Sequence, residues 1–196
     1  DGYVIARYLL EKEWQVLVLV LADRDSISGD AEANLVLLPE DIVRFCPGEG
    51  ELTENYTDDL QQADVLVDAL LGTGLRSDLT GLYREAVELI NAAPGKVVAV
   101  DIPTGIHGTT GRILGQTVHA NMTVTFGIAK LGHVLYPAAE HVGRLVIVDI
   151  GIPPQLMDEA VGYDFLNEKL LAPLVKRRDR QTHKGTYGHC LIVAGS

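Results

Sequence analysis

Five stretches of this chain are apolar almost without a break, at about residues 15–22, 63–70, 96–102, 121–127 and 144–150. A strand with one wet face alternates polar and apolar residues. A continuous run of this length is what a strand buried on both faces requires, and such strands belong to parallel sheets covered by helices. Helical spacing fills several of the gaps. Tyr3–Glu13 places Val4, Ile5, Tyr8 and Leu9 on one face, 29–38 reads as a helix behind an Asp-rich loop, and 81–91 reads as a third, stopped by Pro94 and Gly95. Strand and helix in alternation predict an open α/β fold with a mainly parallel sheet. Residues 46–58 read as polar, turn-rich surface, and 104–118 carry too little periodicity for a helix.

With 196 residues the chain is long enough for one full core and a fragment of something else. Hydrophobic residues at 47% against 22% charged residues fit a compact α/β protein rather than a disordered one. The formal charge of −11 argues against a nucleic-acid partner, because a phosphate backbone selects a basic surface. A dinucleotide stays within reach, since main-chain N–H groups at a helix N-terminus hold phosphates without a basic patch. Cys46 and Cys190 give neither a disulfide framework nor metal-ligand spacing, and two unpaired thiols suit a reducing cytoplasm. The longest apolar run, Val16–Ala22, is far short of a membrane span, and no signal peptide opens the chain, so no membrane partner is expected.

Both ends read as cut. The chain opens in mid-helix without Met and stops where a strand meets a glycine turn. The expected organisation is a first domain over 1–153, closed by Pro153 and Pro154, and a connector over 154–183. A second domain then begins at 184–196. The connector holds a mixed helical stretch, 156–172, and a charged hinge from Lys176 to Arg180. A glycine-punctuated strand is expected from Lys184 to Gly195.

In open α/β sheets ligands bind beyond the carboxyl ends of the strands. Two strand ends here carry a carboxylate and then a tight turn. Asp68 precedes Gly72-Thr73-Gly74-Leu75, and Asp101 precedes Ile102-Pro103-Thr104-Gly105. Glycines at such an edge let the main chain approach a phosphate or ribose. Each feature also has a plainer explanation. A Gly-x-Gly pair alone is weak, and an Asp at a strand end commonly caps a helix. A carboxylate beside apolar strands is nevertheless costly unless it is paired or bound to a cation. None of the six histidines pairs at i, i+4, so no zinc site is expected. His107 either lines the cleft or is a solvated loop residue. Arg76, Ser77, Tyr83 and Arg84 contact phosphates or simply face solvent. Lys130 reads as a solvated loop charge.

The motifs together resemble the NAD(P)H-hydrate epimerases. Asp1-Gly2-Tyr3-Val4-Ile5-Ala6-Arg7 is similar to the tail of that family's first binding segment, and 67–75 and 98–106 to its second and third motifs. Thr123-Val124-Thr125-Phe126, with Lys130 and Gly132 beyond, and 148–153 match its later strands. His183 to Ser196 resembles the opening of a ribokinase-like NAD(P)H-hydrate dehydratase, which bacterial members fuse behind the epimerase. The paired asparagines, first strand and N-terminal helices of the family are missing from the match.

The resemblance implies a Rossmann-like three-layer αβα fold, incomplete at its N-terminus. It implies interconversion of the R and S forms of hydrated NADH or NADPH at C6 of the nicotinamide ring. It also implies a potassium ion held by Asp68 and Thr104, and ADP or ATP as cosubstrate of the fused dehydratase. Substrate would be met by Asp1, by Gly72, Thr73, Gly74, Leu75, Arg76, Ser77 and Asp78 around the pyrophosphate, by Tyr83, and by Asp101 near the ring or ribose. Epimerisation needs C6 to lose its stereochemistry, by departure of hydroxide or by ring opening, and both routes move a proton at oxygen. Asp101 is the first choice of proton carrier and Asp68 the second.

Other readings lead elsewhere. The same fold could serve as a binding module without turnover; intact Asp68, Thr104 and Asp101 favour catalysis. A Rossmann dehydrogenase lacks its Gly-x-Gly-x-x-Gly. A homo-oligomer stays open.

Overall fold

Parallel pairing organises the chain, in two sheets rather than the single one expected. The computed structural model describes residues 1–153, 155–156, 163, 166, 168–175, 180–187, 189 and 191–193. β3 (Val65–Asp68), β4 (Lys96–Val100), β5 (Met122–Phe126) and β6 (Arg144–Val148) lie side by side in that order, all parallel. The first run pairs elsewhere: β1 (Val18–Val20) forms a separate two-stranded sheet with β2 (Val43–Phe45). That partner is too short, and interrupted by the exposed Arg44, to register as a strand in the sequence pattern.

Helix α1 (Gly2–Glu11) begins one residue after the chain start. Its buried residue is Ala6, while Tyr8, expected on the inner face, is exposed with the Arg7 guanidinium 5.6 Å from its ring. Helix α2 (Gly29–Leu35) follows β1, and α3 (Glu51–Gln62) occupies much of the stretch expected to be irregular surface. Leu52, Tyr56 and Leu60 form a narrow apolar stripe on one face of α3 that packs inward, and the rest of the helix is polar. Glu85, on α4 (Gly81–Ala92), accepts the N–H of Gly50 at 2.7 Å and both the N–H and hydroxyl of Thr53, at 2.9 and 2.7 Å. These bonds satisfy donors that the first turn of a helix leaves unpaired. Leu52 packs below them with Ala86 and Cys46. Burial, and then the Glu51 and Glu85 carboxylates, push the Cys46 thiol up, away from the thiolate a nucleophile needs. Cys190 lies outside the described residues.

Val87 and Ile90 of α4 pack on Leu66, Val97 and Ala99, forming the main core on one face of the four-stranded sheet. Residues 101–120 form no helix, as expected, and cross the carboxyl edge as a long loop. Gly105 fixes that loop. Its φ is +100°, and a Cβ there would lie 1.9 Å from the Gln116 carbonyl oxygen. Gly105→Ala is therefore expected to cost at least about 2 kcal/mol through backbone strain and collision. Thermal unfolding should show the midpoint falling by about 4–8 °C.

Asp1–Ile152 and Pro153–Ser196 form two separate compact units. In the second, Glu168–Leu171 is helical. Lys184–Tyr187, expected to open a strand, forms a 3₁₀ turn instead. Leu191, Ile192 and Val193 are exposed and take no strand pairing. A strand exists only against a partner that takes up its N–H and C=O groups, and no ladder among the described residues supplies one. Lys176–Asp179 of the expected hinge, and Gly188 and 194–196 of the tail, lie outside the described residues. Among those described, no helix is long and apolar enough to cross a membrane.

Candidate active site at the carboxyl edge of the sheet

Because β3 and β4 are parallel, with Asp68 opposite Ala99, their carboxyl ends open on the same edge. Asp68 and Asp101 therefore emerge together, as their sequence positions suggested. The two turns are also bonded to each other. Thr104, in the turn after Asp101, donates its N–H to Asp68 Oδ2 at 2.8 Å and its hydroxyl to Oδ1 at 2.7 Å. Leu70 N–H reaches the same Oδ1 at 3.4 Å, and Leu71 N–H donates to Thr104 Oγ1 at 3.1 Å.

Asp68 is 1% exposed and Thr104 fully buried. Burial pushes the Asp68 carboxyl up, against the pull of its Thr104 and Leu70 donors. No cationic side chain pairs with it among the described residues. Its hydrogen-bond partners are neutral donors, the N–H groups of Thr104 and Leu70 and the Thr104 hydroxyl, which also reaches the Leu71 carbonyl.

Asp101 is held quite differently. It is a non-glycine residue with φ 66°, a left-handed conformation that costs on the order of 1–3 kcal/mol and persists only where the surroundings enforce it. Here they do. Its N–H donates to the Val124 carbonyl at 2.7 Å, and its own carbonyl accepts from His133 Nε2 at 2.8 Å. Oδ1 accepts the Thr125 hydroxyl at 2.8 Å, the Phe126 N–H at 3.5 Å and the Lys130 ammonium. All three side-chain bonds fall on Oδ1, and Oδ2 accepts none among the described residues. Burial pulls the Asp101 carboxyl up, but Lys130, Thr125 and Phe126 outweigh it and leave it below the ordinary carboxylate range. One oxygen is saturated, and the other is open on a side chain about a fifth exposed.

Lys130 is not the solvated loop charge expected. Its ammonium pairs with Asp101 and also bonds Thr125 Oγ1 at 2.6 Å. Thr125, Lys130 and His133 are the functional neighbours that the residue pattern missed. The available signals were that Lys130 closes the turn after a strand and that Thr125 and Lys130 fall in a segment resembling the family's later strands.

The loop Gly72 to Asp78 is exposed apart from Leu75 and Leu79 beside it. Arg76 clasps it internally, donating to the carbonyls of Thr73 at 2.7 Å and Leu75 at 3.0 Å. Neither Gly72 nor Gly74 has a positive φ, and a Cβ at either would meet nothing within 4 Å. No internal contact therefore calls for glycine at these two positions. The start of α1 lies close by, since a Cβ on Gly2 would sit 3.1 Å from that of Ala69; Asp1, before it, is exposed and makes no side-chain cap. Tyr83 packs against the core beside Val87, and Arg84 pairs with Glu88 at 2.9 Å on the surface. His107 Nδ1 accepts Thr109 N–H at 3.3 Å, bracing its own loop. Among the described residues no three His, Cys, Asp or Glu side chains cluster as a metal site.

A family model described as YjeF-related protein N-terminus matches residues 1–132. A bifunctional NAD(P)H-hydrate repair enzyme of Thermofilum pendens is 41% identical over the whole chain, and its namesake in Moorella thermoacetica is 39% identical. The chain spans 37% of the length of each of these relatives. An NAD(P)H-hydrate epimerase of Oenococcus oeni is 36% identical over 152 residues, covering 78% of this chain and 69% of that protein. The crystal structure of yeast ynu0 superposes with a TM-score of 0.63 at 21% identity, covering 86% of this chain and 68% of that one, and shares the fold. By the match over two thirds of its length, and by its likeness to the Oenococcus protein, the chain belongs to the family of YjeF-related N-terminal domains.

Proposed function

We propose that this chain carries the epimerase part of an NAD(P)H-hydrate repair enzyme, interconverting the R and S hydrates of NADH or NADPH at C6 of the nicotinamide ring. The observation that carries the reading is the Asp101–Lys130 pair, held in a strained turn on the edge where Asp68 and the exposed glycine loop also lie. A module that only binds has no need of a carboxylate with one oxygen saturated and the other open.

The pair suits the chemistry. Lys130 is the proton donor: as the C6–O bond breaks, its electrons leave with the oxygen, which takes a proton from the ammonium and departs as water. The ring-nitrogen lone pair closes the iminium; water adds to the opposite face and loses its proton to solvent, from which Lys130 recovers the proton it gave. Asp101 orients the Lys130 ammonium, and its free Oδ2 accepts a hydrogen bond from the hydroxyl or the water. Gly72 and Gly74 leave room for the pyrophosphate to approach the main chain. Asp1, Thr73, Leu75, Arg76, Ser77 and Asp78 would line that approach, and Tyr83 would stand behind them. Potassium fits the second carboxylate. Asp68 is a buried carboxyl with no cationic partner among the described residues and with the Thr104 hydroxyl oxygen beside it. A hard cation prefers carboxylate, hydroxyl and carbonyl donors; Asp68 and Thr104 would hold it. When bound, it would neutralise the buried charge beside the substrate.

Separating the R and S hydrates by chromatography, with the full-length protein present, tests the reading. Equilibration of a single epimer is expected; persistence of that epimer would leave only a binding module.

The domain limits 1–153, 154–183 and 184–196 belong to the same proposal, with the last segment beginning a dehydratase that uses ADP or ATP, in a cytoplasmic protein. Limited proteolysis of the longer protein should cut first between Pro153 and His183, leaving both products folded. Resistance through that stretch would displace the boundary.

A further inference from the structure

We propose that His133 is a positioning residue for the Asp101–Lys130 pair, tying the main chains of both partners through its two ring nitrogens. The catalytic consequence rests on the epimerase reading; the contacts do not. His133 lies in the short helix Leu131–Val134 and is 3% exposed. Its Nδ1 accepts the Lys130 main-chain N–H at 3.0 Å, so that nitrogen carries no proton. Its Nε2 then holds the proton and donates it to the Asp101 carbonyl at 2.8 Å. Both bonds are satisfied together only by the neutral imidazole protonated at Nε2.

The surroundings favour that form. Burial pushes the His133 imidazolium down, and the Lys130 charge adds to this against the Asp101 carbonyl and carboxylate. Lys130 and Asp101 are the charged groups acting on the ring. The helix itself is fixed in place. Gly132 N–H donates to the Gly108 carbonyl at 2.7 Å, and a Cβ on Gly132 would come within 3 Å of the His107 and Gly108 main chain. The imidazole therefore bridges an anchored helix to a residue in a strained conformation. It sets where the Asp101 turn sits relative to the lysine 29 residues further on. A ring that only filled space would need neither bond.

Two amides separate the two bonds. Gln at this position can place an N–H where Nε2 lies, keeping the link to Asp101, and Asn can place an oxygen where Nδ1 lies, keeping only the link to Lys130. In the full-length protein, His133→Ala and His133→Asn should each lower kcat by about a hundredfold with KM little changed, and His133→Gln should recover most of it, since catalysis is that sensitive to misplacement of about 1 Å. Ring ¹⁵N shifts of the wild type should show the Nε2–H tautomer, with the ring taking up its second proton at lower pH than an ordinary imidazole does. The Asp101 carboxyl, followed by ¹³C titration, should sit low in the wild type and in His133→Gln and move up in His133→Ala. A proton on Nδ1, a charged ring, or unchanged kcat and Asp101 titration in folded His133→Ala would overturn the proposal. If the wild type interconverts no hydrates while the ring and Asp101 signals behave as expected, the epimerase reading fails and the positioning of the pair stands.

Discussion

Asp101→Asn is expected to lower the rate of R/S interconversion by about two to four orders of magnitude, the usual contribution of positioned proton transfer, lost here because Asp101 orients the Lys130 donor. The amide keeps the size of the carboxyl and can still accept Thr125 and Phe126. It removes the charge that orients the Lys130 ammonium, and its second position, open on the carboxylate, becomes an NH₂ that repels the same donors. Lys130→Arg sharpens the test. A guanidinium preserves the ion pair but does not release its proton at any working pH, so this variant should fall nearly as far as Lys130→Met. Rates for all three would be followed by chromatography of the two hydrates, with thermal unfolding as the control for folding. If Lys130→Arg kept near-normal turnover, lysine would be acting through its charge alone, and proton transfer would pass to Asp101. If Asp101→Asn were near-normal with substrate binding intact, the choice of carboxylate would move to Asp68.

The parts of the fold that could be read from sequence are those whose physics is local. β3 to β6 all stand out as largely apolar runs, although burial on both faces, which such runs suggest, does not hold at the two outer strands, where Val65 and Val67 of β3 and Ile147 and Val148 of β6 are exposed. Their parallel order puts Asp68 and Asp101 on one edge without further information. The parts that could not be read depend on partners far along the chain. Helix α3 has only a narrow apolar stripe among polar residues, and its first turn draws support from Glu85, more than 30 residues away. Strand β2 is three residues long and is visible only as the neighbour of β1. Tyr8 fits the inner face of α1 by spacing, yet the small Ala6 is the residue buried. At the site, Asp68 and Thr104 were linked by family resemblance, since nothing in their own pattern pairs residues 36 apart. Lys130 shows the limit most clearly. A lysine after a strand reads as solvated until the fold brings it to Asp101, and His133, two contacts deep, carried no signal at all.

Potassium should stabilise this protein through Asp68, and Asp68→Asn should abolish that dependence. The carboxylate is buried and has three neutral donors but no cationic side chain, an arrangement that leaves its charge uncompensated. Because burial raises its pKa, the protonated form is favoured in the fold. The sign follows: its contribution to stability is complete below the unfolded value, about 3.9, and is lost as pH rises through the higher folded value. At neutral pH the bare site is therefore a liability that a bound cation offsets. With potassium at a hundred times its dissociation constant the gain is about 2.7 kcal/mol, or roughly 5–10 °C in Tm for a chain of this size. Wild type at neutral pH should melt higher in potassium chloride than in tetramethylammonium chloride of equal ionic strength. The difference should shrink in acid solution, as Asp68 takes up its proton. Asp68→Asn should melt alike in both salts at either pH, and Thr104→Val should lose part of the response along with a donor to Asp68. Equal melting of the wild type in the two salts would mean that the hydrogen bonds from Thr104 and Leu70 are enough for Asp68, and potassium would drop out of the site.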